Sequence, residues 1–223
     1  MPTLTPSPKK IAAKTPTKRQ ELGARSRDEI LNAAEKIMAV HGFEGTSIAR
    51  IASESGLPSS SIYWHFESKA GVLAAVMERG AERFFSDYGA NIDLVSPVVD
   101  PLTTLRQSLG FAKTAVEAHP EFLRMLFLLT LSGVHDERVT GLVRRVTDAG
   151  KDQLGELIRH VFTQQGEAMS LRIADELVDF AQGMFDGMFL TTQTHESVSY
   201  DRLIDQMAET IFALGSAIIR RDS

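Results

Sequence analysis

The run Ser59-Ser60-Ser61-Ile62-Tyr63-Trp64-His65 makes an unusual helical surface. At a helical period Ile62 turns inward, and the hydroxyls, the phenol, the indole and the imidazole turn outward. Hydroxyls, phenols and imidazoles hydrogen-bond to phosphate oxygens and base edges, and the hydroxyl-bearing side chains also touch thymine methyls. A helix start at Ser59 would place free backbone N–H groups in the same spot. Lys69 sits in the first turn of the following helix, where the macrodipole disfavours a cation, and a phosphate would account for it. The implied chemistry is contact with a polyanion.

Bond-making chemistry finds little support. Cysteine is absent, which excludes a disulfide framework, a thiolate nucleophile and Cys-based zinc or iron–sulfur sites. The six histidines are scattered without metal-ligand spacing, and no GxSxG, HExxH, GxGxxG or P-loop string occurs. Asp175, Glu176, Asp179 and Asp186 recur at helical spacing and read as a solvated face. No enzyme activity, no metal and no cofactor is expected.

The elements that would hold the hydroxyl-rich segment are legible around it. Residues 47–66, SIARIASESGLPSSSIYWHF, read as a helix, a turn containing Gly56, and a second helix, with Ile48, Ile51 and Ile62 as the small core of a helix-turn-helix. Thr46 or Ser47 caps the first of these helices. Ahead of them, Ser26-Arg27-Asp28-Glu29 reads as a capping box opening a helix that Gly42 closes. Ser68 caps a fourth helix running to about Tyr88, and the period fails across residues 89–101. Beyond Pro101 only helical patterns follow, at about 101–118, 120–132, 136–165, 170–194 and 199–221. No alternating strand pattern stands out, so the fold class is all-α.

Charge is unevenly spread over the 223 residues, 43% of them apolar, with a formal net charge of −5. Residues 1–25 hold Lys9, Lys10, Lys14, Lys18, Arg19 and Arg25 against Glu21, together with four prolines. Such an arm cannot bury enough apolar surface to offset its ordering entropy, so it should be disordered and basic. Residues 91–223 carry 12 basic and 19 acidic groups. A basic arm on an acidic body points its N-terminal end at a polyanion. The arm lacks the apolar run of a signal peptide, and the longest greasy stretch, MLFLLTL at 125–131, is far below the ~20 residues of a membrane span. The expected location is the cytoplasm, with no membrane partner.

Arg27 to Leu73, with Gly42, Thr46, Ile51-Ala52, Gly56, Tyr63, His65-Phe66 and Lys69 in register, resembles the DNA-binding domain of the TetR (tetracycline-repressor-like) family. The resemblance implies a three-helix helix-turn-helix domain joined by a linking helix to a larger helical domain for ligand binding and dimerisation. The boundaries would be 1–25 for the arm, 26–88 for the DNA-binding domain with its linking helix, and 89–223 for the rest. It further implies a homodimeric regulator, most often a repressor, that binds a palindromic double-stranded DNA operator and is released by an unknown, largely apolar small molecule. Carried over by position, Thr46 or Ser47 would meet the DNA backbone. Ser59, Ser60, Ser61, Tyr63 and His65 would lie in the major groove or on its phosphates, Trp64 would pack on sugar-phosphate, and Lys69 would take a phosphate. Ser60 stands where relatives commonly have Gly, and Pro58 replaces a frequent Ser, which would move the helix cap to Ser59.

For the C-terminal part, Leu109, Phe111, Ala112, Met125, Leu126, Phe127, Leu128, Phe162, Phe180 and Met184 offer bulky apolar surface. From these, Phe111, Met125, Leu128, Phe162, Phe180 and Met184 are taken as the effector lining, with Thr130, His119, Gln182 and Asp186 as polar anchors. The last two helices carry apolar stripes, and the family pairs them with a partner's, so Gly183, Gly187, Met207, Ile211, Leu214 and Ile218 are the expected dimer interface. The competing functional classes are a helical protein-interaction module and a ligand-independent transcription factor.

Overall fold

The computed structural model describes residues 17–92, 100–131, 137–195 and 197–222. Among the described residues nine helices follow in order: α1 (Lys18–His41), α2 (Ile48–Ser55), α3 (Ser59–Phe66), α4 (Lys69–Ile92), α5 (Pro101–Ala118), α6 (Pro120–Leu131), α7 (Glu137–Val161), α8 (Glu167–Thr194) and α9 (Tyr200–Asp222). A single 3-10 turn, Thr163–Gln165, joins α7 to α8. Among the described residues there is no strand, and the all-α class holds.

The largest departure from the sequence reading is at the start of α1. The helix begins eight residues before Ser26, with Thr17 as its cap and a reciprocal Thr17/Gln20 capping box. Ser26-Arg27-Asp28-Glu29 therefore lies inside a helix and caps nothing. The physical reason is competition between two equivalent signals: residues 18–25 contain no proline, and Arg25 pairs with Glu29 one turn on at 2.9 Å, which suits continuous helix. The arm boundary expected at residue 25 thus falls within α1, and residues 1–16 lie outside the described residues. At the other end of the first domain α4 continues to Ile92, past the expected break at residue 89; residues 93–99 and the expected break at Gly133 lie outside the described residues. α8 opens at Glu167 directly after Gly166, three residues earlier than its apolar period suggests.

The helix-turn-helix core is small and dry. Ile51 and Ile62 are fully buried against Ile30, Ala34 and Met38 of α1, with Phe66 closing one end. Burial of each isoleucine contributes about 2 kcal/mol. Gly56, with φ 70° and ψ 12°, is the left-handed residue that ends α2, so the chain can reverse within two residues into Pro58.

The second layer begins on α4, which packs on α1, α3, α5, α6 and α7. Arg79 of α4 locks it to α1, donating to Asn32 at 2.9 Å and pairing with Glu35 at 2.7 Å. α1 also packs on α6, so the DNA-side helices are braced from two directions. In the C-terminal part α7 lies along α8, and α5 along α9, where Arg106 bridges to Asp205 at 3.3 Å and Glu209 at 2.7 Å.

Candidate nucleic-acid interface and ligand cavity

α3 is held from below and bare on top. Ile62 and Phe66 anchor it, while Tyr63 is 53% and Trp64 74% exposed. Ser60 is exposed, and Ser59 and Ser61 are half-buried. Pro58 precedes the helix with no side-chain cap. Ser59 is the first helical residue and not the cap that the sequence suggested. The uncapped first turn keeps N–H groups for an outside acceptor.

Two joints fix the direction of α3. His65 Nε2 lies 3.3 Å from the Ser26 hydroxyl, a contact possible only because α1 extends past Ser26. Burial and the nearby Arg27 lower the His65 pKa, which keeps the imidazole neutral. At the C-terminal end Glu67 takes φ 62°, ψ −37°, and Ser68 N–H donates to the Phe66 carbonyl at 2.6 Å. That is a γ-turn with positive φ, a strained conformation for a residue with a Cβ. Ser68 then caps α4 through the Gly71 N–H at 3.0 Å. A Cβ at residue 71 would collide with the Phe66 carbonyl oxygen, so only glycine lets α4 press so closely on the end of α3.

The remaining expected DNA contacts divide. Ser47 is exposed and caps α2 by accepting from Arg50 N–H at 3.2 Å. Thr46 is different: it is buried, and its hydroxyl donates to the Gly42 carbonyl at 2.7 Å. Lys69 is half-buried, with its ammonium donating to the Phe43 carbonyl at 3.0 Å and lying 4.1 Å from the Phe43 ring centroid. Those two neighbours stabilise the cation at a helix start without any phosphate, and an ammonium has further N–H groups to offer. Two cations absent from the sequence reading stand on the same side: Arg50, exposed and donating to the Gly45 carbonyl at 3.0 Å, and Arg27, 5.3 Å from the Phe66 ring centroid. Their placement in the first turn of α2 and beside α3 is the signal that could have found them.

A cavity of about 140 Å³ lies between α4, α5, α6, α7 and α8. None of the six residues taken as its lining faces it. Met125 and Phe162 are buried in helix packing, Phe162 against Phe212 with ring centroids 6.5 Å apart. Leu128 and Phe180 are exposed, and Phe111 and Met184 are half-buried. Leu109, Ala112, Leu126 and Phe127 of the wider apolar set do line it, as do three of the four polar anchors, Thr130, Gln182 and Asp186. His119 instead pairs with Asp87 at 2.7 Å. The wall that residue types did not reveal comes from the aromatic face of α4, including Tyr88, and from residues 146–154 of α7. Tyr88 is buried there, which pushes its phenol up to about 12. Asp186 is therefore no part of a solvated acidic face; burial raises its pKa, and the Gln182 amide, donating at 2.8 Å, opposes that rise. Among the described residues no group of three His, Cys, Asp or Glu is placed to hold a metal ion, and no helix is long and apolar enough to cross a membrane.

Of the expected dimer residues, Met207, Ile211 and Ile218 are buried within the chain's own core. The stripe they form on α9 faces α5 and α8 of the same subunit. Gly183 and Gly187 are exposed, and so is Leu214, in company with Phe180 and Leu190.

A short helix with a buried inner face and a bare, hydrogen-bonding outer face, delivered by a glycine turn, is the arrangement of a helix-turn-helix. Residues 30–76 match the family model of the bacterial regulatory proteins of the tetR family. The chain is similar to the transcriptional repressor NicS of Pseudomonas putida, 29% identical over 60% of this chain and 66% of that protein. It is also similar to the transcriptional repressor KstR2 of Mycolicibacterium smegmatis, 32% identical over 37% of this chain and 40% of that one. The chain thus spans just under two thirds of the first and two fifths of the second. Among solved structures, a TetR-family regulator from Mesorhizobium loti superposes with a TM-score of 0.69 at 18% identity, covering 89% of this chain and 98% of that one. A regulator from Saccharomonospora viridis, solved in complex with choline, superposes at 0.65 and 20% identity over 84% and 96%. These likenesses carry the fold, and the family match falls on the helix-turn-helix segment.

Proposed function

We propose that the protein is a homodimeric repressor that binds a palindromic operator and is released by a small molecule held in the cavity between α4 and α8. The observation that carries the proposal is the outward set on α3: Tyr63 and Trp64 stand in solvent beside Ser60 while Ile62 and Phe66 pin the helix. Ser59, Ser60, Ser61 and Tyr63 read the major groove, Trp64 packs on sugar-phosphate, and Ser47, Arg50, Lys69 and Arg27 take phosphates. Thr46 acts through its neighbours, because its hydroxyl is committed to Gly42. His65 joins α3 to α1.

A dimer follows from size. One helix-turn-helix covers only about 600–1,000 Å² of surface, too little for selective binding among genomic competitors. The exposed strip of Phe180, Gly183, Gly187, Leu190 and Leu214 on α8 and α9 supports self-association there; Met207, Ile211 and Ile218 support it only from behind. We divide the chain into a reading head over residues 26–88, extended by the first turns of α1, and an effector and dimer part over residues 89–223. Release requires a ligand that prefers one spacing of the two reading heads, since equal affinity for both shifts nothing.

Fragments of genomic DNA selected by the full-length protein supply the operator, and a fluorescence-anisotropy titration against it is the test. Affinity should fall steeply with salt, and Lys69→Ala should weaken specific and random DNA alike and reduce the salt slope by about 1. A monomer in solution that binds no duplex at low salt would end the proposal.

A further inference from the structure

We propose that the cavity is selective for a small organic cation, an amine or quaternary ammonium on an apolar body of about one ring, whose charge meets Asp186. The inference rests on the reading above only in taking the cavity as a ligand site. Among the described residues lining the cavity, Asp186 is the sole formal charge; no Lys, Arg or His faces it. Gln182 Nε2 donates to one oxygen of that carboxylate at 2.8 Å, and the other oxygen has no partner among the described residues. A half-buried carboxylate with a single neutral hydrogen bond is incompletely compensated, and an opposite charge completes it.

The neutral polar groups point the same way. Thr130 donates its hydroxyl proton to the Leu126 carbonyl at 2.8 Å, and Thr147 to the Val143 carbonyl at 3.0 Å. Each proton is spent on its own helix, which leaves oxygen lone pairs for the cavity. The Gln182 amide oxygen faces the α7 backbone at Gly150. Donors on the lining reduce to the Tyr88 phenol and the Gln153 and Gln182 amides, all neutral. The neighbouring corner is negative as well: after burial itself, Glu117 and Asp186 oppose ionisation of Tyr200, whose buried hydroxyl has no hydrogen-bond partner among the described residues. Apolar walls complete the site. Phe127 and Phe189 stack 5.3 Å apart, and aromatic faces attract cations. The volume, about 140 Å³, resembles that of cavities which admit one benzene ring.

Three probes of similar size and different charge decide the matter by titration calorimetry on the full-length protein without DNA: 2-phenylethylammonium, 2-phenylethanol and phenylacetate. The cation should bind about 10- to 100-fold tighter than the alcohol, as expected for a hydrogen bond to a charged group, and the anion should not bind. In Asp186→Asn the cation's advantage should shrink to about threefold or less by removal of that charge, while the alcohol binds as before and so reports an intact cavity. Equal affinity for cation and alcohol, a cation preference that survives in Asp186→Asn, or no binding of any probe at millimolar concentration would overturn the proposal. DNA affinity is read separately: selective cation binding that leaves the operator complex untouched upholds the ligand class and removes its role in release.

Discussion

At the N-terminal end of the molecule the polar side chains stand out from an eight-residue helix, held by two apolar anchors beneath it. At the C-terminal end the half-buried Asp186 and Gln182 line a cavity walled by aromatic rings, with the more exposed Thr130 and Thr147 also on its lining. The first arrangement suits a large partner that brings its own charge and shape; the second suits a small one that must leave water. The difference also sets the cost of change. Exposed groups can be exchanged with little effect on folding, whereas buried polar groups are coupled to packing and ionisation.

Five substitutions would break or sharpen that contrast. The largest effect is expected at the joint between the two regions: Arg79→Ala strands Glu35 in a mostly buried pair and should lower stability by about 3 kcal/mol, read as a drop in the urea midpoint. An unchanged midpoint would mean that the regions are joined elsewhere. Next, Tyr63→Ala should weaken operator binding about 10- to 100-fold and relax selectivity, with the melting temperature unmoved. Thr46→Val should do the reverse, losing about 1 kcal/mol of stability through the unpaired Gly42 carbonyl and touching DNA affinity only in proportion. If both variants behaved alike, exposure would not separate readers from supports.

Asp186→Asn comes third. A carboxyl whose folded pKa is raised binds its proton more tightly in the folded state, so stability declines as pH rises through that pKa and the penalty is complete above it. The amide removes the penalty, so the unliganded variant should melt on the order of 2 °C higher at pH 8 and no higher below the ordinary aspartate range, near pH 3. A gain that persists in acid would point to packing. The smallest effect belongs to Glu67→Gly, which relieves the positive φ but frees the unfolded chain, for a net gain on the order of 0.5 kcal/mol.

Legibility followed the range of the interactions. The helix-turn-helix is written in contacts three and four residues apart, and so Ser47, Gly56, Ile51 and Ile62 announced it; α5 was read to the residue because Asp100-Pro101 starts it and His119-Pro120 ends it. The start of α1 was misplaced since two capping boxes compete within ten residues, and the Arg25–Glu29 pair with a proline-free run carries the helix from the first through the second. The cavity was illegible in detail because residue type does not give the rotation of a helix about its axis. Met125 and Leu126 are chemically alike, yet only Leu126 faces the void. The polar anchors were easier, as polar groups on apolar stripes are few. On α9 the stripe was seen correctly but given the wrong neighbour: an apolar face demands burial without saying whose surface provides it.

α4 meets a neighbour with no side chain of its own at two places nine residues apart, which lie on opposite sides of a helix. At Gly71 it rests against the end of α3, and at Gly80 a Cβ would run into the ring of Phe122, which belongs to the cavity wall. Backbone touches hard matter on both sides, without the slack that a rotating side chain provides. A tilt at one contact has little room to be absorbed before the other, so the rod ties a ring in the void's wall to the far end of α3.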